Sequence, residues 1–486
     1  MYILPSKFFI YLFYIFPEIL IFFISIFFIF KISFFDSFSF NFNIKYINYL
    51  NILYLFLVFW SFSFFCLIYF KKITSPLLIS NCYIICLYSS FMKFLIFLYF
   101  FMFSFILRNY YSFLVWNLPK EFFFFNVISS LFICMILSSF NIFFLFICFE
   151  GLTLSSIVLI AILGQNFLSL ESLLNYFFIS AVSSVSFIFG TSILFLNFNS
   201  SLCFSSFRLG FDENNFFLKN NNDVTISNEK GNINLEEFLN IFSNTDYISL
   251  FGIFLIIFFF LIKLGMFPFH FWVPKFFNSI WFFLFFFIVI IKFSFIIIFF
   301  RIFGFFCFNF NSFFIFIFYL ASLGSIIVGC FGALSSNNLK YFISFTSINN
   351  LGYIFMGFST PNFYSIYYSF LFFFIYSLNF IFFFISLIII KKYNFFDVNI
   401  FFNGIYFSKL NNLIKNQKNF FLSVFLLVSF FSISGLPPFA SFVVKLNLLN
   451  EIWFSGNYLM VIISLITSFF SIFYYFKLIK FLLKVD

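Results

Sequence analysis

The sequence predicts an all-α polytopic membrane protein with about 13 transmembrane helices. Hydrophobic residues make up 64% of its 486 residues and charged residues only 8%, whereas soluble domains carry about 25% charged residues. Apolar runs long enough to cross a bilayer also recur along most of the chain. This composition excludes soluble enzymes, nucleic-acid-binding proteins and secreted disulfide scaffolds.

The predicted spans follow from the length of each apolar run, since about 20 apolar residues cross the hydrocarbon core. Residues 197–249 interrupt the series with many Asn, Ser and acidic residues, which predicts a solvated insertion. The predicted spans are residues 8–30, 49–70, 86–107, 122–139, 141–163, 173–196, 248–269, 276–303, 313–334, 342–360, 363–390, 420–448 and 458–483.

Two of these spans, the seventh and the twelfth, contain helix-breaking residues. Proline removes a backbone donor and clashes with the preceding turn, and a break within a bilayer needs protein or a hydrated cavity around it. Paired broken helices are typical of transporters built from inverted repeats. Lys263 precedes the first break and Lys445 follows the second, as expected for halves of opposite orientation. The breaks are formed by Gly265, Pro268 and Pro274, and by Gly435, Pro437 and Pro438.

A few charges lie within the predicted spans, where each costs at least about 2.5–3.5 kcal/mol. Glu150 lies in the middle of the fifth span, and the lysines are Lys263, Lys292 and Lys445. Burial favours the neutral amine of a lysine and a nearby carboxylate favours the ammonium, so such groups can bind and release protons. We predict a role in proton transport for these four residues, with purely structural pairing as the alternative.

For three other ionisable residues, a role in proton transport is not favoured over a structural one. Lys93 is interpreted as a lysine that snorkels from a helix end, and Glu18 as an interfacial residue. His270 is the only histidine; because it lies at the first break, a relay role and simple loop packing both stay open. One histidine excludes haem ligation by paired histidines, and the spacing of the cysteines does not suit zinc or iron–sulfur clusters. We therefore expect no redox cofactor and no metal on this chain.

The composition also bears on the source of the chain. Phenylalanine supplies 112 residues, and the residues in excess have codons rich in A and T, as expected for an organellar genome. The first residues run directly into an apolar span and lack the Arg-rich pattern of a transit peptide. We expect a multi-pass protein of the mitochondrial inner membrane that is encoded in the organelle.

Several strings of the sequence resemble a known family. The strings are FEGLTLSSIVLIAIL, FFLIKLGMFPFHFWVP, IIKFSFIIIFFRIF, GALSSNNLKYFISFTSINNLGYIFMGF and SISGLPPFASFVVKLNLL. They resemble the antiporter-like membrane-arm family of subunit 2 of proton-pumping NADH:ubiquinone oxidoreductase, respiratory complex I, called subunit N in bacteria. Sister subunits 4 and 5 share this plan, but the Gly352-Tyr353 pair, Lys292 and the PFHFWVP string favour subunit 2.

The resemblance implies two inverted five-helix repeats with broken helices 7 and 12. It divides the chain into an N-terminal three-helix segment, 1–120, a first repeat, 121–303, and a second repeat with the C-terminal end, 304–486. The chain departs from the family pattern at Asn350, where relatives often have histidine, and at Lys275 and Asn175.

The resemblance also implies roles for single residues. Glu150 and Lys263 would form a charge pair, Lys292 would pass protons laterally, and Lys445 would be the terminal lysine; His270 and Lys340 are weaker candidates. The implied partners are other membrane-arm subunits and lipids, with no nucleic acid. NADH, FMN, iron–sulfur clusters and ubiquinone would be bound elsewhere in the complex. A free-standing cation/proton antiporter and a purely structural membrane anchor remain alternative functions.

Overall fold

The computed structural model confirms a polytopic helical fold. Every predicted span coincides with helical segments, and ten of the described helices are long and apolar enough to cross a membrane. The predicted insertion lies outside the described residues except at its ends. The structure describes residues 14–28, 40–70, 77–79, 83–111, 119–139, 141–163, 167–197, 247–277, 286–304, 312–360, 362–394 and 420–483.

The described residues of the N-terminal half form six helices and one short hairpin. Its elements are α1 (Tyr14–Phe28), α2 (Phe40–Phe70), β1 (Leu77–Ile79), β2 (Tyr83–Ile85), α3 (Leu87–Tyr111), α4 (Lys120–Ser138), α5 (Ile142–Leu163) and α6 (Phe167–Asn197).

The described residues of the C-terminal half form nine α-helices and a π-helical turn. Its elements are α7 (Tyr247–Leu264), α8 (Trp272–Phe276), the π-turn (Phe286–Ile291), α9 (Lys292–Phe303), α10 (Ser312–Ser335), α11 (Leu339–Met356), α12 (Phe363–Asn394), α13 (Phe420–Ser434), α14 (Ala440–Phe454) and α15 (Tyr458–Leu483).

The hairpin is the one departure from the predicted all-α fold within the described residues. Its strands pair antiparallel, with Leu77 opposite Ile85 and Ile79 opposite Tyr83. Aliphatic and aromatic residues such as these suit a pleated surface. Three residues per strand are too few for the alternating pattern that identifies a strand in a sequence.

The chain forms two compact units. The first comprises Met1–Phe105, Asn117–Ile162 and Ser184–Ile256. The second comprises Ile106–Trp116, Leu163–Ser183 and Ile257–Asp486. The three predicted domains and the division into two inverted repeats stay predictions.

Both predicted helix breaks are present and begin in the same way. α7 ends at Gly265 and α13 at Gly435, whose φ angles of 70° and 77° lie in the left-handed region that favours glycine. After α7, the amide of Met266 donates to the carbonyl of Leu261 at 3.0 Å. After α13, the amide of Leu436 donates to the carbonyl of Phe431 at 3.4 Å. The glycines therefore end both helices with the same carbonyl-satisfying turn.

The second unit is organised around α9, whose residues are all buried. Phe299 of this helix packs on Phe355 and Phe358, with ring centroids 4.6 and 4.8 Å apart. α10 and α11 pack closely, because a Cβ at Gly329 would lie 2.6 Å from the backbone nitrogen of Asn349. Aromatic packing and this close contact fix the position of α11, which carries much of the candidate site.

Candidate functional site

Lys263 lies in the last turn of α7, just before the first break. Its side chain is only 3% exposed, and its Nζ lies 5.7 Å from the Phe259 ring centroid and 6.0 Å from that of Phe295. Trp272 Nε1 donates to the carbonyl of Ile262 at 3.2 Å. Because Ile262 immediately precedes Lys263, this bond across the break holds the backbone that presents the lysine.

Lys292 is the first residue of α9 and follows directly after the π-turn. Its side chain is 3% exposed, and Nζ donates to Ser347 Oγ of α11 at 3.3 Å. The ring centroids of Phe277 and Phe287 lie 5.6 and 5.7 Å from Nζ. π-turns within helices often occur at functional sites, and this one directs a buried cation toward a polar residue on a neighbouring helix.

Lys445 lies in α14, beyond the second break. It is 7% exposed, and its Nζ lies 3.7 Å from the ring centroid of Tyr353 on α11. A cation over an aromatic face is attracted to the ring quadrupole, by up to about 2 kcal/mol when desolvated. Tyr353 OH donates to the carbonyl of Ser464 at 3.0 Å and lies 3.4 Å from Thr467 Oγ1. Lys445 is therefore held against a ring that α15 anchors.

α11 connects these two lysines. Ser347 contacts Lys292 and Tyr353 contacts Lys445, and six residues of helix correspond to about 9 Å. Between them, Asn349 Nδ2 donates to Tyr474 OH of α15 at 3.4 Å. One polar helix thus carries a contact for each of the two lysines.

Lys340 lies in the first turn of α11 and is buried. It precedes Ser347 by seven residues, so both occupy the same helix face, about two turns apart. This extends the polar row of α11 toward its N-terminus. Lys340 therefore lies on the helix that contacts Lys292 and Lys445, and its role stays a prediction.

His270 is buried within the first break. Its ring centroid lies 4.1 Å from that of Phe271 and 6.1 Å from that of Phe267. This is the aromatic contact expected for loop packing. The relay role of His270 stays a prediction.

Glu150 lies in α5, in the first compact unit, and is half-buried. Its backbone carbonyl accepts a hydrogen bond from Thr153 Oγ1 at 3.0 Å. Glu150 therefore occupies a long apolar helix, as predicted, while its pairing with Lys263 stays a prediction.

The interpretation of Lys93 and Glu18 as peripheral residues is wrong. The two side chains form an ion pair between α3 and α1, and each is 3% exposed. Lys93 lies in the second turn of α3, which begins at Leu87, and its side chain is directed to Glu18 inside the protein and not to the surface. Glu18 lies on the buried face of α1 that also contains Tyr14 and Ile21.

Sequence reasoning also missed the polar partners of the lysines. Ser347, Asn349 and Tyr353 were not among the predicted site residues, although Gly352-Tyr353 supported the family resemblance. The available signal was the density of Ser, Thr and Asn in α11. Most of these residues are buried, as expected for a helix that lines a polar interior.

A family model matches residues 139–471, which is more than half of the chain. Its description is NADH:quinone oxidoreductase/Mrp antiporter, transmembrane region. The matched residues include every lysine described above except Lys93 and also include Glu150.

Curated relatives match a shorter part of the chain. NADH-quinone oxidoreductase subunit N of Pelagibacter ubique is 29% identical over 160 residues, which is 33% of this chain and 32% of the relative. Subunit N 2 of the same enzyme from Thermodesulfovibrio yellowstonii is 32% identical over 170 residues, again 33% of this chain and 32% of the relative. The matched segments thus span about a third of the length of these relatives.

Solved structures match nearly the whole chain. A chain of respiratory complex I from Thermus thermophilus has a TM-score of 0.62 and 17% identity, covering 90% of this chain and 88% of that chain. A chain of the Mrp complex from Dietzia has a TM-score of 0.68 and 14% identity, covering 91% and 76%. Both similarities concern the fold, which these two kinds of complex share.

Proposed function

Because the chain belongs to the NADH:quinone oxidoreductase/Mrp antiporter transmembrane family, we propose that it is a proton-translocating membrane-arm subunit of NADH:ubiquinone oxidoreductase. The subunit 2 type, called N in bacteria, is supported by the names of the curated relatives. Family membership confirms the resemblance seen in the sequence. The enzyme activity belongs to the whole complex, and this chain contributes to it as a subunit.

The observation that carries this proposal is the arrangement of Lys292 and Lys445 around α11. Both lysines are buried, and each contacts a polar or aromatic residue of that helix. An ionisable group inside a membrane is costly, and such groups mark ion or proton pathways. A helix that contacts both lysines offers a short polar connection between two such groups.

The proposed relay uses the lysine amines as proton carriers. An ammonium at Lys292 can release its proton toward Ser347 and water, and a neutral amine at Lys445 can accept one, so that one proton moves and no electrons do. Lys263 and Glu150 would act as the charge pair that changes the proton affinity of the first lysine. Lys340 and His270 are candidates for the ends of the route.

The proposal also concerns the membrane in which the chain lies, its neighbouring subunits and the cofactors of the complex. We place the chain in the mitochondrial inner membrane, beside antiporter-like sister subunits and lipids. NADH, FMN, iron–sulfur clusters and ubiquinone would be bound by other subunits. The composition and the absence of suitable ligand spacing in the sequence support this assignment.

Membership can be tested by native-gel separation after gentle detergent extraction, with peptide identification of the band that has NADH:quinone activity. The expected result is this chain in that band at constant stoichiometry. Its presence only in a smaller band without that activity would contradict the proposal.

The relay can be tested with Lys292→Met, which removes the buried amine but keeps a side chain of similar length. NADH-driven proton uptake into vesicles should fall, and Lys275→Met provides a matched control because Lys275 is exposed. Unaltered proton uptake in Lys292→Met, with the variant chain assembled, would favour a structural anchor.

A free-standing cation/proton antiporter is the second candidate, favoured by the similarity to the Mrp complex chain. It would use the same buried lysines for secondary transport. Sodium flux driven by a proton gradient in vesicles containing only this chain would support it, and the absence of such flux in those vesicles would contradict it.

A further inference from the structure

The first compact unit contains a buried ion pair that the proposed relay does not use. Lys93 Nζ donates to Glu18 Oε1, and both side chains are 3% exposed. The pair lies outside residues 139–471, which match the family model. The two residues are 75 positions apart in the sequence, and their contact joins α1 to α3.

The surroundings of the pair are aromatic and weakly polar. Lys93 Nζ lies 3.6 Å from the ring centroid of Tyr14. Tyr14 OH and Ser89 Oγ form a hydrogen bond of 2.8 Å. A cation–π contact can therefore hold the ammonium in place even when its carboxylate partner is neutral.

The titratable groups around the pair come from several elements. Tyr14 lies on α1, Cys86 lies just before α3, and Cys134 of α4 interacts electrostatically with both members of the pair. From α2, Tyr54 lies near Cys134. Phenols and thiols are neutral near pH 7, so Glu18 and Lys93 hold the charge of the cluster.

Stability alone is a weak reason for such a pair. Desolvation of two buried charges offsets much of their attraction, and a buried salt bridge often contributes little compared with apolar residues of similar volume. Moreover, Glu18 Oε2 has no hydrogen-bond partner among the described residues. Buried polar atoms are normally satisfied by protein or ordered water, so this oxygen remains a site for a proton or a water molecule.

A row of polar residues on α4 leads to the pair. Asn126, Ser130 and Cys134 are spaced by four residues and share one helix face over about 12 Å. All three are buried, and neither side-chain atom of the Asn126 amide has a hydrogen-bond partner in the described part of the chain. Buried amides in this state typically bond water. The row therefore places a polar group at each turn of α4 as far as Cys134, which interacts with the pair.

We propose that Glu18 and Lys93 form a proton-binding site in the N-terminal helices, supplied along the α4 face that contains Asn126, Ser130 and Cys134. Binding of one proton converts the Glu18 carboxylate to a carboxylic acid and breaks the ion pair, while the Lys93 ammonium stays over the Tyr14 ring. Release of that proton restores the pair, and no electrons are transferred. This inference rests on the proposed function, because it adds a protonatable site to a proton-translocating subunit.

The test compares Glu18→Gln, the double variant Glu18→Gln with Lys93→Gln, and the control Glu171→Gln in the assembled oxidoreductase. Glu171 is exposed on α6. The double variant keeps two groups that can hydrogen-bond and leaves no unpaired charge, so it should fold. Infrared difference spectra after a pH jump report protonated carboxyl groups, and a pH-sensitive dye reports NADH-driven proton uptake.

We expect a carboxylic-acid band in the unmodified protein and in Glu171→Gln, and its loss in both Glu18 variants. Proton uptake per NADH should fall in the double variant. A spectrum unchanged by Glu18→Gln, or normal proton uptake in the double variant, would overturn the inference and leave the pair with a structural role.

The supply path has its own test in Asn126→Leu, with Asn126→Gln as the polar control. The leucine variant should slow the appearance of the carboxyl band after the pH jump, and the glutamine variant should not. Lys292→Met distinguishes failure of the proposed function from failure of the present inference. Proton uptake unaffected by that variant contradicts the proposed function. Proton uptake lost in Lys292→Met but kept in all Glu18 variants contradicts only the present inference.

Discussion

Lys445 Nζ lies 3.7 Å from the ring centroid of Tyr353, and the hydroxyl of that tyrosine donates to the backbone carbonyl of Ser464. A buried lysine that follows a helix break thus rests on an aromatic face whose position is fixed by a third helix. The contact stabilises the ammonium relative to the neutral amine. Tyr353 therefore has two separable features, its ring and its hydroxyl.

Tyr353→Leu should lower NADH-driven proton uptake more than Tyr353→Phe does. The leucine removes the ring that attracts the Lys445 ammonium, a contact of about 0.5–2 kcal/mol, while phenylalanine keeps the ring and loses the hydroxyl contacts with Ser464 and Thr467. Proton uptake into vesicles containing each variant checks this, with native gels to show equal assembly. Equal loss in both variants would assign the effect to the hydroxyl.

Ser347→Ala should reduce proton uptake without preventing assembly. The change removes the described hydrogen-bond acceptor for Lys292 Nζ, at 3.3 Å, and a lost bond to a charged group costs about 1.5–3 kcal/mol. Ser344→Ala is the matched control, because Ser344 is also buried on α11 and its hydroxyl donates to the carbonyl of Tyr341 within the same helix. A reduction of the same size in both variants would indicate a general effect on α11.

The helices and their breaks could be predicted because their signals are local. Runs of apolar residues identify the spans, and Gly265 and Gly435 precede prolines in an otherwise apolar sequence, which marks an interruption. The candidate lysines followed from the cost of charge in a membrane. None of these arguments required knowledge of which helices are neighbours.

Contacts between distant residues could not be predicted in this way. Lys93 and Glu18 are 75 residues apart, and Lys292 and Ser347 are 55 residues apart. Which helices meet depends on tertiary packing, and the abundance of phenylalanine leaves little periodicity to show which face of a helix is buried. The position of Lys93 near the start of an apolar run therefore indicates only a helix end. Its partner, Glu18, lies on another helix and cannot be inferred from that position.

The two breaks share a further feature that predicts positioning roles for Trp272 and Ser441. Trp272 Nε1 donates to the carbonyl of Ile262, and Ser441 Oγ donates to the carbonyl of Ser432. Each acceptor lies three residues before the glycine of its break. In both cases a side chain beyond the break donates to a carbonyl at the end of the preceding helix, and at the first break the Ile262 carbonyl also accepts from the Gly265 amide at 3.0 Å.

Trp272→Phe and Ser441→Ala should therefore each destabilise the chain by about 0.5–1.5 kcal/mol, the net contribution of one hydrogen bond. Thermal unfolding of the purified complex, followed by loss of NADH-driven proton uptake, measures the effect. Ser468→Ala is a suitable control, because the Ser468 hydroxyl bonds a carbonyl within its own helix and is exposed. Unchanged stability in both variants would show that water can replace these donors.

Gly265→Ala should be more damaging than Gly456→Ala, although both glycines have left-handed φ angles, 70° and 86°. The backbone strain is common to both and costs about 1–2 kcal/mol. Only at Gly265 is there also a steric conflict, because a Cβ there would lie 2.1 Å from Val273 Cγ2, whereas nothing lies within 4 Å at Gly456. The clash would push α8 away from the end of α7 and disturb the bond between Trp272 and Ile262. Gly456→Ala should thus lower thermal stability only, while Gly265→Ala should also lower proton uptake. Equal effects of the two variants on stability and on proton uptake would mean that the first break can widen without moving Lys263.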